Sequence, residues 1–178
     1  MKKKFLSVLL TLTLVFSLTS VPAYASEITA EGDGTVPVNL TVETPIYDVT
    51  VPMVLPVTMT ETGDIVVATD AVIVNKSAGP IKISNIKTKG VNGWSTTDYT
   101  GLDVKSAKVG SKNVGLTFTI DGMTTNTTGA DLNDFSGAII LIKGESLPLI
   151  YNAKVPAQKV AQTDVQIAEV VFTVGWDD

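Results

Sequence analysis

The chain contains no cysteine, no histidine and no arginine, and all 13 of its cationic side chains are Lys. Without Cys there is no disulfide framework, no thiolate nucleophile, no Cys-type zinc site and no lipidated Cys. Without His there is no Ser-His-Asp machinery, no HExxH metalloprotease and no imidazole metal ligand. Without Arg there is no bidentate clamp for phosphate or a guanine edge. Aromatic residues are scarce, at 6%, so packing claims most of them.

The start of the chain carries a clear signal. Lys2, Lys3 and Lys4 precede an apolar stretch over residues 5–18, interrupted by Ser7, Thr11, Thr13 and Ser17. Ala23-Tyr24-Ala25 then places small residues where signal peptidase reads them. The expectation is a secretory signal peptide over residues 1–25, cleaved after Ala25. As a helix the apolar stretch would cover ~21 Å, short of the ~30 Å hydrocarbon core. No later stretch is long and apolar enough to span, so no membrane association is expected after cleavage.

Cleavage would leave ten Lys against 18 acids, a net charge of −8. An acidic, Arg-free surface repels nucleic acid and anionic lipid. The remaining chain is long enough for one cooperative core without disulfides. It holds 21 Thr and 21 Val and only eight Leu. β-branched residues lose rotamer freedom in helices and pack well on pleated sheets. No amphipathic run of helical period is present.

Residues 26–35 read as a flexible polar leader, and residues 36–178 as one β domain. Val36, Val38, Leu40 and Val42 alternate with polar residues, which predicts an edge strand carrying Pro37. Tyr47, Val49, Val51, Met53, Leu55, Val57 and Met59 are apolar at every odd position. This predicts one long inward-facing strand, or two strands in phase across a bend at Pro52 or Pro56. Ile65 to Ala68 is its hairpin partner, and residues 71–75 make another strand. Ile81 and Ile83 are out of phase with Ile86, which a β-bulge near Asn85 reconciles.

A turn over residues 89–94 leads to a short strand at Trp94, and residues 97–113 are irregular. Leu116, Phe118 and Ile120 define a strand ending in the Asp121-Gly122 turn. Residues 124–134 read as a polar loop. Ala138 to Ile142 reads as a central strand buried on both faces, with Lys143, Gly144 and Glu145 as gatekeepers. Residues 147–151 and 155–160 read as weaker strands. Ala168, Val170, Phe172, Val174 and Trp176 define the last one. About ten short strands separated by turns predict an all-β fold, a single antiparallel β-sandwich of jelly-roll or Ig-like type.

Four segments together resemble a known group: YDVTVPMVL at residues 47–55, IVNKSAGPIKI at 73–83, NGW at 92–94 and VFTVGWDD at 171–178. They are similar to small secreted β-sandwich surface proteins of Gram-positive bacteria, the WxL-like and TasA-like fibre-subunit group. The resemblance implies secretion, a sandwich fold and a surface or fibre role. It carries no binding motif across. Trp94 is followed by Ser95-Thr96 and Trp176 by Asp177-Asp178, so neither completes Trp-x-Leu.

Candidate sites are few. Asp131 and Asp134, with Glu145 nearby in sequence, could form a carboxylate pair for glycoside hydrolysis, which needs a cleft and a separation of roughly 5–9.5 Å. The bland alternative is a solvated loop. Asp131, Asn133 and Asp134 are also the candidate oxygen ligands for a structural Ca²⁺, beside the acidic turns at residues 31–34 and 61–64. None has EF-hand spacing. No other cofactor is expected. Trp94 and Tyr99, with Tyr151, could form an aromatic platform for sugars if Trp94 faces solvent.

The expectation is therefore a non-catalytic secreted surface or matrix structural protein, with a fibre subunit joined by strand complementation as its assembled form. The alternative is a carbohydrate-binding module or adhesin. The expected partners are further copies of the chain, or cell-wall or host glycans. The assembly idea rests on residues 36–42, which can fold back on their own domain or add to a neighbour's edge.

Overall fold

The computed structural model describes Val38, residues 40–129 and residues 132–178, with backbone only for 132–137. The signal peptide and the leader lie outside the described residues. The chain divides into two units, Met1–Thr41 and Val42–Asp178. Of the first, Val38, Leu40 and Thr41 are described. They carry no strand, and Val38 and Leu40 are 94% and 86% exposed. The strand expected over residues 36–42 is therefore not formed in its described part.

All regular elements among the described residues are strands. They are β1 (Val49–Thr50), β2 (Val57–Met59), β3 (Ile65–Val67), β4 (Val72–Asn75), β5 (Ile81–Gly90) and β6 (Ser95–Thr96). There follow β7 (Asn113–Ile120), β8 (Met123–Asn126), β9 (Leu132–Leu141), β10 (Ser146–Lys154) and β11 (Ala168–Trp176). One sheet runs β1-β4-β10-β7-β6, with β8 also on β7. A second runs β11-β5-β9, and β2 and β3 form a separate hairpin. Every pairing is antiparallel except β6 with β7, which is parallel.

Both larger sheets feed one apolar cluster. Ile73, Val114, Leu116, Phe118, Ile120, Leu149 and Tyr151 come from the first. Ile81, Ile83, Ile86, Ile139 and Leu141 come from the second. The phase break between Ile83 and Ile86 is resolved as expected. The register of β5 shifts between Ile83 and Asn85 against both neighbours, and all three Ile are fully buried. A bulge adds one residue and so restores the inward phase.

Buried Asn75 ties the sheets together. Its Nδ2 donates to the carbonyls of Gly79 and Leu141, each at 3.0 Å, and its Oδ1 accepts the Ser77 N–H at 2.9 Å. Such saturation is what a fully buried amide requires.

Several expectations need correction. The odd-position stripe takes the second of its two expected forms, two strands separated at the prolines, but not with every odd residue inward. It is split between β1 and β2, and Met53 between them is fully exposed. Pro52 and Pro56 interrupt the ladder there. Met123–Asn126 is a strand rather than loop. Asp121 and Gly122 take φ of 49° and 74°, so a two-residue turn folds β8 directly back onto β7. Residues 138–142 are not buried on both faces. β9 is an edge strand, with Ile139 and Leu141 inward and Ile140 and Ile142 48% and 64% exposed.

β10 is central in its sheet rather than weak. Pro148 is tolerated within it, because pairing with β7 starts only at Leu149. Residues 155–160 form no strand. Val155 is buried, but Pro156 follows it, and Gln158 donates from its side chain to the carbonyls of Ser111 and Pro156.

Candidate functional site

β11 alternates Ala168, Val170, Phe172, Val174 and Trp176 with Glu169, Val171, Thr173 and Gly175. Period-2 alternation sends the first set inward. Along one side β11 pairs with β5 through all nine of its residues. No strand among the described residues pairs with its other side. A free edge of this length presents a row of main-chain donors and acceptors to any extended segment.

The inward set meets too little partner surface. Val170, Phe172 and Val174 are only half-buried. Facing them are Tyr47, Val49 and Val51, on and around β1. Between the two rows lies an open groove of about 390 Å³, with Val171 on its rim. One end of β11 is closed by an edge-on contact of the Tyr47 and Trp176 rings, with centroids 5.0 Å apart and planes at 77°. The apolar surroundings push the Tyr47 phenol above its ordinary pKa.

Charge lies at the ends of this strand. Glu169 is the only ionisable side chain within β11. Just past the strand, Asp178 Oδ1 accepts from Lys82 Nζ at 2.9 Å. The hydrogen bond and the opposite charge lower the Asp178 pKa and raise that of Lys82. The groove residues offer no nucleophile and no acid–base pair. What the arrangement can do is hold an extended chain, by ladder hydrogen bonds to β11 and apolar side chains in the slot.

The sites read from the sequence are arranged otherwise. Asp131 lies outside the described residues. Asn133 and Asp134 sit on β9, where their backbones pair with Ile86 and Asn85. Glu145 is engaged in its own turn, where its Oε2 accepts the Ile142 N–H at 2.9 Å. The acidic turn at residues 61–64 is closed on itself, with Thr62 Oγ1 donating to Asp64 Oδ2 at 2.6 Å. Among the described residues, no three of His, Cys, Asp and Glu are grouped so as to hold a metal ion.

Trp94 corrects the aromatic platform. It is 6% exposed and belongs to the core, and its buried indole Nε1 has no hydrogen-bond partner. Tyr99 is half-buried, and Lys154 Nζ sits 4.8 Å from its ring centre, a cation–π contact that occupies one face. Tyr151 is buried in the core. Trp94 and Tyr151 are thereby closed to a sugar, and Lys154 takes one face of Tyr99.

The groove itself was read from the sequence as core. The available signal was the contrast between two strands. Lys143, Gly144 and Glu145 follow β9 without a Val between them, whereas within β11 only Glu169 is charged and Val170, Val171, Phe172 and Val174 are contiguous or nearly so. Compared with protein-family models, curated proteins and solved structures, the chain matches none.

Proposed function

We propose that this chain is a secreted, non-catalytic structural protein of the cell surface or extracellular matrix, a β-sandwich subunit that assembles by strand addition. The observation that carries the reading is β11, a nine-residue strand with a free edge beside an apolar groove. The shared core of the two sheets and the Asn75 bridge between β4 and β9 support a face-to-face sandwich. The signal-peptide pattern and the resemblance to Gram-positive surface proteins support secretion and a surface role. The partner is then the chain itself.

A carbohydrate-binding module or adhesin built on Trp94 and Tyr99 has less support, because Trp94 is buried and Lys154 covers Tyr99. The test is the assembly state of the chain purified without residues 1–25. Concentration-dependent oligomers in light scattering, and fibres in electron micrographs, are expected. A protein that stays monomeric at high concentration overturns the reading.

A further inference from the structure

We propose that the groove beside β11 receives residues 38–42 of a second copy of this chain, laid antiparallel to β11. In this register Val38 lies opposite Val174, Leu40 opposite Phe172 and Val42 opposite Val170. The inference rests on the self-assembly reading above and specifies its contact.

Three features match the segment to the slot. First, the slot offers three half-buried apolar side chains at alternate positions. The segment offers three exposed ones at the same spacing, with Val38, Leu40 and Val42 94%, 86% and 68% exposed. Second, the alternation sets the phase. A slip of one residue would turn Asn39 and Thr41 into an apolar slot. Third, residues 38–42 carry no charge, and neither do the residues lining the groove.

The chain's own exit favours a second copy. The Ile46 carbonyl is held by the Ala78 N–H at 2.8 Å, and the next residue, Tyr47, sits against Trp176. To reach its own groove, the segment would have to reverse within residues 43–46, which include Pro45. It would then run parallel to β11. A neighbour's segment is free of that constraint and can pair antiparallel, the slightly stronger ladder. The donor's body then lies at the Ala168 end of the acceptor, while the acceptor's own segment departs from the Trp176 end. Donor and acceptor sites at opposite ends make a heterologous, head-to-tail contact, which builds rings or open chains of copies.

The register has one cost, and it makes the inference sharper. It sets Glu43 of the donor opposite Glu169 of the acceptor, and both residues are exposed in the free chain. Like charges across a ladder weaken pairing, and salt screens them. Assembly should therefore strengthen with salt. Glu169→Lys should strengthen it by roughly two- to fivefold at low salt.

The absence of Cys makes the contact directly testable. Thr41 and Val171 lie opposite each other in this register, and both face outward. A mixture of Thr41→Cys chains and Val171→Cys chains, oxidised together, should give a disulfide-linked dimer on a non-reducing gel. The double variant should give a ladder of linked oligomers. Leu40→Asp, at an exposed position, should abolish assembly and leave the melting temperature of the dilute, monomeric chain unchanged. In the parallel arrangement Thr41 would instead lie beside Thr173, so a double Thr41→Cys, Thr173→Cys variant that closes on itself as a monomer overturns the inference in favour of the chain's own segment. Cross-linking between Val171→Cys and Thr173→Cys chains overturns it in favour of two β11 edges pairing. Oligomers that survive Leu40→Asp and give no Thr41–Val171 link overturn it while leaving self-assembly standing. A chain that never oligomerises overturns both.

Discussion

The Tyr151 hydroxyl donates to the Pro56 carbonyl at 2.7 Å and accepts the Ala68 N–H at 3.1 Å. One side chain of β10 thereby holds both ends of the β2–β3 hairpin to the main sheet. Tyr151→Phe leaves the shape intact and strands both main-chain groups. The expected loss is about 1–3 kcal/mol in urea denaturation. Burial pushes the phenol above its ordinary pKa; the Ala68 N–H opposes this and the charge of Asp70 adds to it. A raised folded pKa means the hydroxyl's contribution is whole below the unfolded value of about 10 and is lost as pH climbs through the folded one. Stability should fall on the alkaline side, and Tyr151→Phe should flatten that fall. An unchanged alkaline slope in the variant would remove Tyr151 as its source.

Phe118 is fully buried at the centre of β7, on the inward phase expected for it. Phe118→Ala should cost about 3–5 kcal/mol, through lost transfer energy and the cavity left behind. A loss below about 1 kcal/mol is the signature of a surface position and would contradict this placement.

Gly90 closes β5 where the next turn presses against it. An added Cβ would fall against the Trp94 carbonyl oxygen and within 2.8 Å of the Ser95 Cα, both of them backbone. Gly90→Ala must therefore shift the 91–94 turn, and a loss of about 1–3 kcal/mol is expected in thermal or urea unfolding. Gly79 provides the contrast. A Cβ there would meet the Trp176 ring at an ordinary 3.6 Å, so Gly79→Ala should stay within about 0.5 kcal/mol of the parent.

What was legible in the sequence follows from what periodicity can carry. Alternation in Leu116–Ile120 and in Ala168–Trp176 identified strands and their inward phase. The break between Ile83 and Ile86 located a bulge. Periodicity reads which face points inward, but not whether anything covers that face. Hence Val170, Phe172 and Val174 read as core although their slot is open. Hence also Ile140 read as buried although β9 is an edge with one covered face. Local chemistry misled twice more. Thr124, Thr125 and Asn126 read as loop until the Asp121-Gly122 turn folded them onto β7. Residues 147–151, which include Pro148, read only as a weak strand although that strand is central. The Trp94 platform failed for a different reason: with few aromatics available, the core takes one that a surface site would have needed.

The carboxylates make the last prediction, one about pH. Asp98 is held below the usual carboxylate range by the Thr100 hydroxyl and backbone N–H, at 2.8 and 2.9 Å. Asp103 is held down by the Ser106 hydroxyl at 2.7 Å and the Lys105 N–H at 3.0 Å. These turns shape residues 97–113, where long strands are absent. A depressed folded pKa contributes stability above the unfolded value of about 3.9, and that contribution is lost as pH falls through the folded one. The loss these carboxylates cause should thus appear only in acid. Stability should be nearly flat from about pH 6 to 8, because no His or Cys titrates there. Asp98→Asn should lower the melting temperature at neutral pH and shrink the acid-side decline, because the variant has no proton to gain. The check is a melting series across pH, run for both proteins with and without a reducing agent. An acid-side decline unchanged in Asp98→Asn, or a steep slope near pH 7, would contradict the assignment of these turn carboxylates as the acid-sensitive groups, and a reductant should shift neither protein.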